Sequence, residues 1–164
     1  MDSVGVRVEV PANTPVVLLR EREGRQRLLP ILIGSPEASA IHTALEGIQA
    51  PRPLTHDLAV HVIERLGASI SEVVITEIRD HVFFAELHLA VLDQGAAAPP
   101  ISISCRPSDA IALAVRVGCP IMATETLLHE AGQEPVAEPA AEEEAIIDEF
   151  RDFLDALNPD DFQG

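Results

Sequence analysis

The sequence contains no tryptophan, no tyrosine and no lysine, and only five phenylalanines among its 164 residues. Nearly half of the residues are nevertheless hydrophobic, so the core is predicted to be aliphatic. The shortage of aromatic rings removes the stacking platforms on which many single-strand nucleic-acid binders rely. All eleven basic residues are arginines, whose planar guanidinium groups favour bidentate contacts to carboxylate or phosphate. Contacts to a polyanion would therefore depend on arginine, backbone amides or a metal ion.

Long apolar runs and paired cysteines are also missing from the chain. Its hydrophobic stretches fall short of the roughly 18 residues that a membrane-spanning helix needs. Asp2, Arg7 and Glu9 stand where a signal peptide would be uniformly apolar. Cys105 and Cys119 are too few for a disulfide framework, and their apolar neighbours favour buried free thiols. We therefore expect a soluble cytoplasmic protein without a membrane partner.

Positive charge is scarce, and the formal net charge is −16. Residues 130–164 hold twelve acids and one arginine, a net charge of −11. Residues 1–129 hold fifteen acids and ten arginines, a net charge of −5. Because such a charge repels nucleic acid, it is the strongest argument in the composition against a nuclease.

Apolar periodicity divides the chain into strands and helices. Strands alternate apolar and polar residues, whereas helices repeat apolar residues every three to four positions. Predicted strands cover about residues 4–10, 16–19, 28–33, 70–78, 82–92, 101–105 and 120–123, and predicted helices about residues 35–46, 55–66, 107–117 and 125–130. Ser35 and Thr55 are predicted to cap the first two helices. The order favours an α+β fold: a mostly antiparallel sheet with three main helices packed on it, plus a C-terminal acidic helix.

The chain is predicted to form one domain followed by a tail. Residues 1–131 carry all the elements that can build a core. Residues 132–144 are mostly Pro, Ala and Glu without a period, which is typical of a flexible acidic linker. Residues 145–164 repeat apolar residues at helical spacing among acids, which is typical of an amphipathic helix. That helix can dock on its own domain or bind a protein partner.

Three predicted helix starts share one design. Each enters its helix through a proline and places a carboxylate in the first turn, and two of them put an arginine before a proline. The stretches are Ser35-Pro36-Glu37, Arg52-Pro53-Leu54-Thr55-His56-Asp57 and Arg106-Pro107-Ser108-Asp109. A residue before proline is held in extended geometry, so both arginines leave the backbone at a fixed angle. If the helix N-termini converge, their acids, arginines and free amides line one cleft.

The same residues have a simpler structural interpretation. Carboxylates at helix starts are common caps, and each of Glu37, Asp57 and Asp109 alone is better explained by capping than by chemistry. Capping does not require an arginine before proline, nor His56, which stands beside an acid and suits general acid–base catalysis. The sequence has no glycine-rich phosphate loop, nucleophile elbow, paired-cysteine motif or histidine spacing typical of a metal site. The residues alone therefore predict a polar cleft at helix ends.

Four segments of the chain carry a recognisable pattern. They are Leu29-Pro30-Ile31-Leu32-Ile33-Gly34 followed by Glu37-Ala38, then Ala44-Leu45-Glu46-Gly47, Pro51-Arg52-Pro53-Leu54-Thr55-His56-Asp57-Leu58, and Arg106-Pro107-Ser108-Asp109-Ala110-Ile111-Ala112-Leu113-Ala114. Together they resemble the bifunctional nuclease family, also called the domain of unknown function 151 family, over about residues 4–131. The resemblance implies a compact α+β domain that pairs into a wedge-shaped homodimer, a groove that serves as the active site, and degradation of RNA and DNA.

The resemblance also implies functional positions. We expect a nuclease that hydrolyses phosphodiester bonds in RNA or DNA, the nucleic acid being its substrate partner. The expected catalytic residues are Glu37, His56, Asp57 and Asp109, the expected phosphate ligands are Arg52, Arg106 and Ser108, and Glu46 is a further motif position. Asp57, Asp109 and Glu37 would hold Mg²⁺ or Mn²⁺, because hard cations prefer carboxylate oxygen, and His56 would move protons.

Two other interpretations stay open. The net charge of −5 in residues 1–129 opposes long-range attraction of nucleic acid. It favours a non-catalytic protein-interaction or regulatory module of the same fold, in which the polar cluster is a network of caps and ion pairs at a dimer or partner surface. A small-molecule binding protein that uses the cleft for an anion is the third interpretation, and no feature of the sequence distinguishes it.

Overall fold

The computed structural model describes residues 2–9, 14–91 and 101–134, which belong to one compact unit. The predicted linker from residue 135 onward and the predicted acidic helix at residues 145–164 lie outside this part of the chain. The elements are, in chain order, β1 (Asp2–Glu9), β2 (Val16–Glu21), β3 (Leu28–Leu32), α1 (Ser35–Leu45), α2 (Thr55–Arg65), β4 (Ala68–Arg79), β5 (Val82–Val91), β6 (Ile101–Cys105), α3 (Pro107–Val117), β7 (Ile121–Ala123) and α4 (Glu125–Ala131).

The strands form one continuous sheet in the order β3-β2-β1-β7-β4-β5-β6. Two antiparallel ribbons, β3-β2-β1 and β4-β5-β6, lie on either side of the short strand β7. β7 joins the ribbons because it pairs with Asp2 and Ser3 of β1 on one side and runs parallel to β4 on the other. Among the described strands this is the one parallel pairing. The predicted α+β class with a mostly antiparallel sheet is confirmed.

The core of the described residues is aliphatic, as the composition predicts. Val17 and Leu19 of β2 and Val73 and Ile75 of β4 are fully buried. α3 contacts α1, α2, β4 and β5, and its residues 110–114 are all buried. No residue of α2 is fully buried. α3 is therefore the central helix, and the starts of α1 and α2 are positioned against it.

The starts of α1 and α2 differ from the prediction in their caps. Gly34 and Leu54 occupy the N-cap positions, so Ser35 and Thr55 are the first helical residues and the caps predicted for them are wrong. In α2 the backbone N–H of Leu54 donates a hydrogen bond of 2.8 Å to Asp57 Oδ2. The first turn of α2 is therefore held by a carboxylate that reaches back from its third residue.

A buried ion-pair cluster attaches α4 to the loop between β2 and β3. The Nε and Nη2 atoms of Arg27 donate to the Glu21 carboxylate at 3.0 and 2.9 Å. Both terminal nitrogens of Arg27 also donate to Glu125, at 3.1 and 3.0 Å. The guanidinium holds the pKa of Glu21 below its usual value, and the two carboxylates raise the pKa of Arg27. No sequence pattern connects Arg27 with Glu125, because they stand 98 positions apart.

The structure also describes the two cysteines and the apolar character of the helices. Cys105 and Cys119 are free and half-buried, and burial raises the pKa of both thiols. Across residues 2–9, 14–91 and 101–134, none of the helices combines the length and the apolar character that a bilayer span requires.

His88 lies between two carboxylates on the sheet face opposite to that of Leu87. Its Nδ1 is 2.9 Å from Glu72 Oε1 and its Nε2 is 3.2 Å from Glu86 Oε2, and Ser102 Oγ donates to Glu86 at 2.9 Å. The hydrogen bond to Glu72 is the main reason why the pKa of His88 is raised above its ordinary value. The imidazole in turn holds the pKa of Glu86 below its ordinary value.

We expect His88→Gln to remove a pH-dependent part of the stability. Because the folded-state pKa of His88 is raised, its protonated form stabilises the fold fully below about pH 6.5, and this contribution is lost as pH rises through the folded-state pKa. Urea denaturation at about pH 6 and about pH 9 should therefore give a smaller difference in unfolding free energy for the variant than for the parent protein. His129→Gln, at an exposed residue of α4, is the control. Parent-like pH dependence in His88→Gln would contradict the prediction.

Candidate active site

The starts of α1, α2 and α3 meet around one open pocket of about 350 Å³. Glu37 comes from the first turn of α1, His56 from the first turn of α2, and Asp109 from the first turn of α3. Arg106, the N-cap residue of α3, lines the same pocket. The three helix N-termini therefore meet, but Asp57 and Arg52, which are predicted from the sequence to lie in the same cleft, do not line this pocket.

Asp109 is the centre of the hydrogen bonds in this pocket. Its Oδ1 is 3.2 Å from His56 Nε2. Arg106 donates from Nε to Asp109 Oδ2 at 2.7 Å and from Nη2 to Oδ1 at 3.0 Å, and its Nη1 lies 3.1 Å from Glu37 Oε1. One guanidinium thus links the carboxylates of α1 and α3, and an imidazole from α2 completes the group. We call these four residues the Asp109 cluster.

The charges of the Asp109 cluster define which groups can move a proton. The Arg106 guanidinium, with a smaller contribution from His56, holds the pKa of Asp109 below its usual value. Asp109 is therefore ionised at neutral pH, and it accepts a hydrogen bond from His56 when the imidazole carries its proton on Nε2, the tautomer in which Nδ1 has a free lone pair. The formal charges of Glu37, Asp109 and Arg106 sum to −1.

Asp57 faces a different pocket from the Asp109 cluster. Its Oδ1 accepts a hydrogen bond of 2.6 Å from Arg116 Nε, and its Oδ2 accepts one from the Leu54 N–H. Arg116, and after it this backbone N–H, hold the pKa of Asp57 below its usual value. Arg116 Nη1 also donates to the carbonyls of Ala40 in α1 and Ala112 in α3. The ion pair lines a second pocket of about 500 Å³, here called the Arg116 pocket.

Arg116 is the residue of this region that sequence reasoning missed. Its guanidinium is mostly buried, with 10% of the side chain exposed, and it contacts all three helices that form the pocket. In the sequence it is only a basic residue in the last turn of a predicted helix, where the helix dipole favours one. The one available signal was that Asp57, if buried at a helix start, would need a cationic partner.

The remaining predicted positions lie outside the Asp109 cluster. Arg52 is exposed and forms no ion pair within the described part of the chain, and Glu46 is exposed immediately after α1. Ser108 is buried in the first turn of α3 and lines a third pocket of about 640 Å³, here called the Phe83 pocket. The structure therefore brings together Glu37, His56, Arg106 and Asp109, and places Arg52, Glu46, Asp57 and Ser108 outside their pocket.

The predicted metal ligands divide between the two clusters. Glu37 and Asp109 both pair with Arg106, whereas Asp57 pairs with Arg116. In the part of the chain that the structure describes, no group of three or more His, Cys, Asp or Glu side chains could hold a metal ion. Binding of Mg²⁺ or Mn²⁺ stays a prediction.

Comparison with known proteins connects this α+β domain to a family. A family model for the bifunctional nuclease domain matches residues 17–135, which include the Asp109 cluster and Arg116. The chain belongs to the bifunctional nuclease domain family. An uncharacterised protein of Mycobacterium tuberculosis is 43% identical over 165 residues, which cover 98% of this chain and 95% of that relative.

The relatives whose names state an activity come from plants. Bifunctional nuclease 1 of Oryza sativa subsp. japonica is 28% identical over 156 residues, covering 95% of this chain and 46% of the relative. Bifunctional nuclease 1 of Arabidopsis thaliana is 29% identical over 121 residues, covering 74% of this chain and 37% of the relative. The chain thus spans less than half the length of these plant proteins.

Proposed function

We propose that this protein hydrolyses phosphodiester bonds in RNA or DNA in the pocket that holds the Asp109 cluster. The observation that carries the proposal is the 3.2 Å contact between His56 Nε2 and Asp109 Oδ1, beside an Arg106 side chain that is 65% exposed. A base oriented by a carboxylate, next to a cation that can bind phosphate, supplies two requirements of phosphoryl transfer. The family and the names of the plant relatives support nucleic acid as the substrate class.

His56 is the general base of the proposed reaction. Because the N–H at Nε2 donates its hydrogen bond to Asp109, the other ring nitrogen, Nδ1, takes a proton from the attacking water. The water oxygen then bonds to phosphorus while the phosphorus–oxygen bond of the leaving group breaks. Hydrogen bonding by Asp109 also stabilises the imidazolium that forms during this step.

Arg106 is the phosphate ligand of the proposed reaction. Three of the five N–H groups of its guanidinium contact Glu37 and Asp109, which leaves two for the oxygens of a phosphate. These donors would stabilise the charge that develops on the phosphate oxygens. Glu37 fixes the guanidinium from the side of α1 and so positions it for this contact.

Mg²⁺ or Mn²⁺ is a separate proposal, which rests on the preference of hard cations for carboxylate oxygen. Such ions take oxygen ligands and neutralise charge on a phosphate when bound. Glu37 and Asp109 share Arg106, and Asp57 is engaged by Arg116. This donor set does not fit a site that draws on all three carboxylates, so the mechanism above contains no step at a metal.

A digestion assay tests the proposed function. Highly purified protein should cleave labelled RNA or DNA, and a His56→Ala, Asp57→Asn double variant prepared in the same way should not. Equal cleavage by the two preparations would identify a contaminating nuclease, and no cleavage by either would reject the proposal. Each reaction is run with Mg²⁺, with Mn²⁺ and with EDTA. Unchanged cleavage in EDTA would reject the proposed metal.

A non-catalytic protein-interaction or regulatory module is the second candidate function. The observation that favours it is charge, because the Asp109 cluster carries a formal −1 and residues 1–129 carry −5, and both oppose a polyanion. In this case the cluster serves only to join α1, α2 and α3. Absence of both cleavage and nucleic-acid binding at low salt, with and without metal, would favour this function over hydrolysis.

We also propose a homodimer in the cytoplasm. The support for self-association is an apolar stripe along α2 and its C-cap residue, since Leu58, Val62 and Leu66 are 57%, 48% and 79% exposed. Exposed apolar stripes of this kind commonly mark protein interfaces. Sedimentation of the parent protein and of Leu58→Glu should show a dimer and a monomer respectively. A protein partner for residues 145–164 stays a prediction.

A further inference from the structure

Three adjoining pockets share lining residues, and together they are called the band. Thr43 and Leu54 line both the Arg116 pocket and the pocket of the Asp109 cluster. Glu37 and Arg106 line both the pocket of the Asp109 cluster and the Phe83 pocket. The His56–Asp109 contact therefore lies in the middle pocket of the band, which shares lining residues with both larger pockets.

The Arg116 pocket combines hydrogen-bonding groups with apolar walls. Arg116 donates from Nε and Nη1 to Asp57 and to backbone carbonyls, and its Nη2 makes no hydrogen bond within residues 2–9, 14–91 and 101–134. Because Asp57 lies 2.6 Å away, the pair carries no net charge and attracts a polar, uncharged group better than a free anion. Ile48 and Val60 add apolar surface. A planar nucleobase, with acceptors and donors on its edge and apolar faces, meets these requirements.

The Phe83 pocket offers stacking surfaces. The Phe83 ring lines it and is half-buried, and the His81 imidazole is exposed on the turn between β4 and β5. Leu32 and Val82, which also line the pocket, are 72% and 55% exposed. Unpaired bases bind to proteins by stacking on aromatic and imidazole rings and by covering apolar side chains. The few aromatic residues of the chain thus include one at the position where a base would lie.

Two arginines are available for the sugar-phosphate backbone along the band. Arg106 is 65% exposed and lies where the middle pocket meets the Phe83 pocket. Arg52 is exposed, without an ion pair among the described residues, and stands between Ala50 and Pro53, which line the Arg116 pocket. A chain of phosphates that crosses the band would meet Arg106, and Arg52 stands in the loop that borders the Arg116 pocket.

We propose that the band binds single-stranded nucleic acid, with one unpaired base in the Arg116 pocket, one in the Phe83 pocket, and the phosphate between them at Arg106. This inference rests on the proposed function for its choice of substrate and goes further by naming the strand state. A duplex keeps its bases paired and stacked, so it can fill neither pocket without unpairing. Single-stranded RNA or DNA is therefore expected to bind much more tightly than the corresponding duplex.

Binding of uncleavable strands tests this inference separately from hydrolysis. Three phosphorothioate ligands are used at low salt: a short single strand, its duplex, and an abasic strand of equal length and charge. Fluorescence anisotropy should show the single strand binding about thirtyfold tighter, or more, than the other two, as expected for two bases at about 1–3 kcal/mol each. Comparable affinity for the abasic strand or the duplex, or no binding of any of the three, would overturn the inference.

Surface variants locate the binding. One double variant, Leu32→Ser with His81→Asn, alters the Phe83 pocket, and asparagine tolerates the φ of 64° at residue 81. The other double variant, Ile48→Ser with His61→Asn, alters the Arg116 pocket. Each double variant should lose most of the preference for the strand with bases, whereas Ile101→Ser, at an exposed apolar residue of β6 that lines none of the three pockets, should retain it. Loss in the control as well, or in neither double variant, would overturn the assignment. Base-dependent binding without cleavage would refute only the proposed hydrolysis.

Discussion

Asp109→Asn should lower kcat for phosphodiester cleavage by about 10²- to 10⁴-fold, the range that a positioned general base contributes. Asparagine has the size of aspartate but lacks its charge, so it neither holds the Nε2 proton of His56 as strongly nor stabilises the imidazolium. Arg106 keeps Glu37 as its partner and remains at the pocket. The Michaelis constant should therefore change much less than kcat. Steady-state cleavage of a labelled oligonucleotide measures both constants.

Asp80→Asn provides the matched control for Asp109→Asn. Asp80 is an exposed residue of the β4–β5 turn with a φ of 49°, a conformation that asparagine adopts readily. The control removes the same negative charge away from the pocket and should keep the parent kcat. The His56→Gln, Asp109→Asn double variant should be about as slow as the slower single variant, because the two residues act as a unit. An undiminished kcat in Asp109→Asn would remove Asp109 from the mechanism.

Arg116→Leu should lower kcat by about 100-fold, although Arg116 lies outside the Asp109 cluster, because a misplacement of about 1 Å can cost that much. The guanidinium holds Asp57, Asp57 holds the backbone N–H of Leu54, and His56 is the neighbour of Asp57 in the same turn. Without this anchor the first turn of α2 shifts, and His56 moves away from Asp109. Arg116→Lys keeps a cation near Asp57 and should recover part of the loss.

Two measurements separate this positioning role from a general loss of structure. The ¹³C-detected titration of Asp109 should show its pKa moving up in Arg116→Leu, because His56 is one of the groups that lowers it. Circular dichroism should show retained helix and sheet. Arg65→Leu, at an exposed arginine in the last turn of α2, should leave kcat and the Asp109 titration unchanged. A parent-like Asp109 titration in Arg116→Leu would contradict the positioning role.

Arg116→Leu should also be less resistant to acid than the parent protein. Arg116 holds the pKa of Asp57 below its usual value. The ion pair therefore stabilises the fold above the unfolded-state pKa of about 3.9, and the contribution is lost as pH falls through the lower folded-state pKa. Arg116→Leu should accordingly begin to unfold at a higher pH than the parent protein during acid titration.

Local chemistry indicated which helix starts would hold the polar residues of the candidate site. Proline at a helix start, a carboxylate in the first turn and an arginine before the proline are properties of short segments, and they correctly placed Glu37, Arg106 and Asp109 at one pocket. The order of strands and helices likewise indicated the α+β class. Both kinds of inference succeed because they depend on backbone geometry within a few residues.

The hydrogen-bond partners of the residues in this region could not be predicted in the same way. His56 and Asp57 are neighbours in sequence, but successive residues of a helix point about 100° apart, so His56 reaches Asp109 while Asp57 reaches Arg116. These partners stand 53 and 59 positions away along the chain, and only the packing of α2 against α3 brings them into contact. The predicted grouping of Asp57 with Asp109 assumed that all polar residues of two neighbouring helix starts face one pocket. It did not consider which side of α2 each residue occupies.

The insertion of β7 between β1 and β4 affects when the chain can fold during its synthesis. Asp2 pairs with Ala123, and Leu28 pairs with Gln133, so a nascent chain cannot unite its two ribbons until most of the domain has left the ribosome. Contacts between such distant positions slow folding and leave strand edges open to wrong partners in the meantime. A shortened protein made for crystallisation should therefore end after Gln133, since an earlier stop would remove a strand-like pairing at the far edge of the sheet.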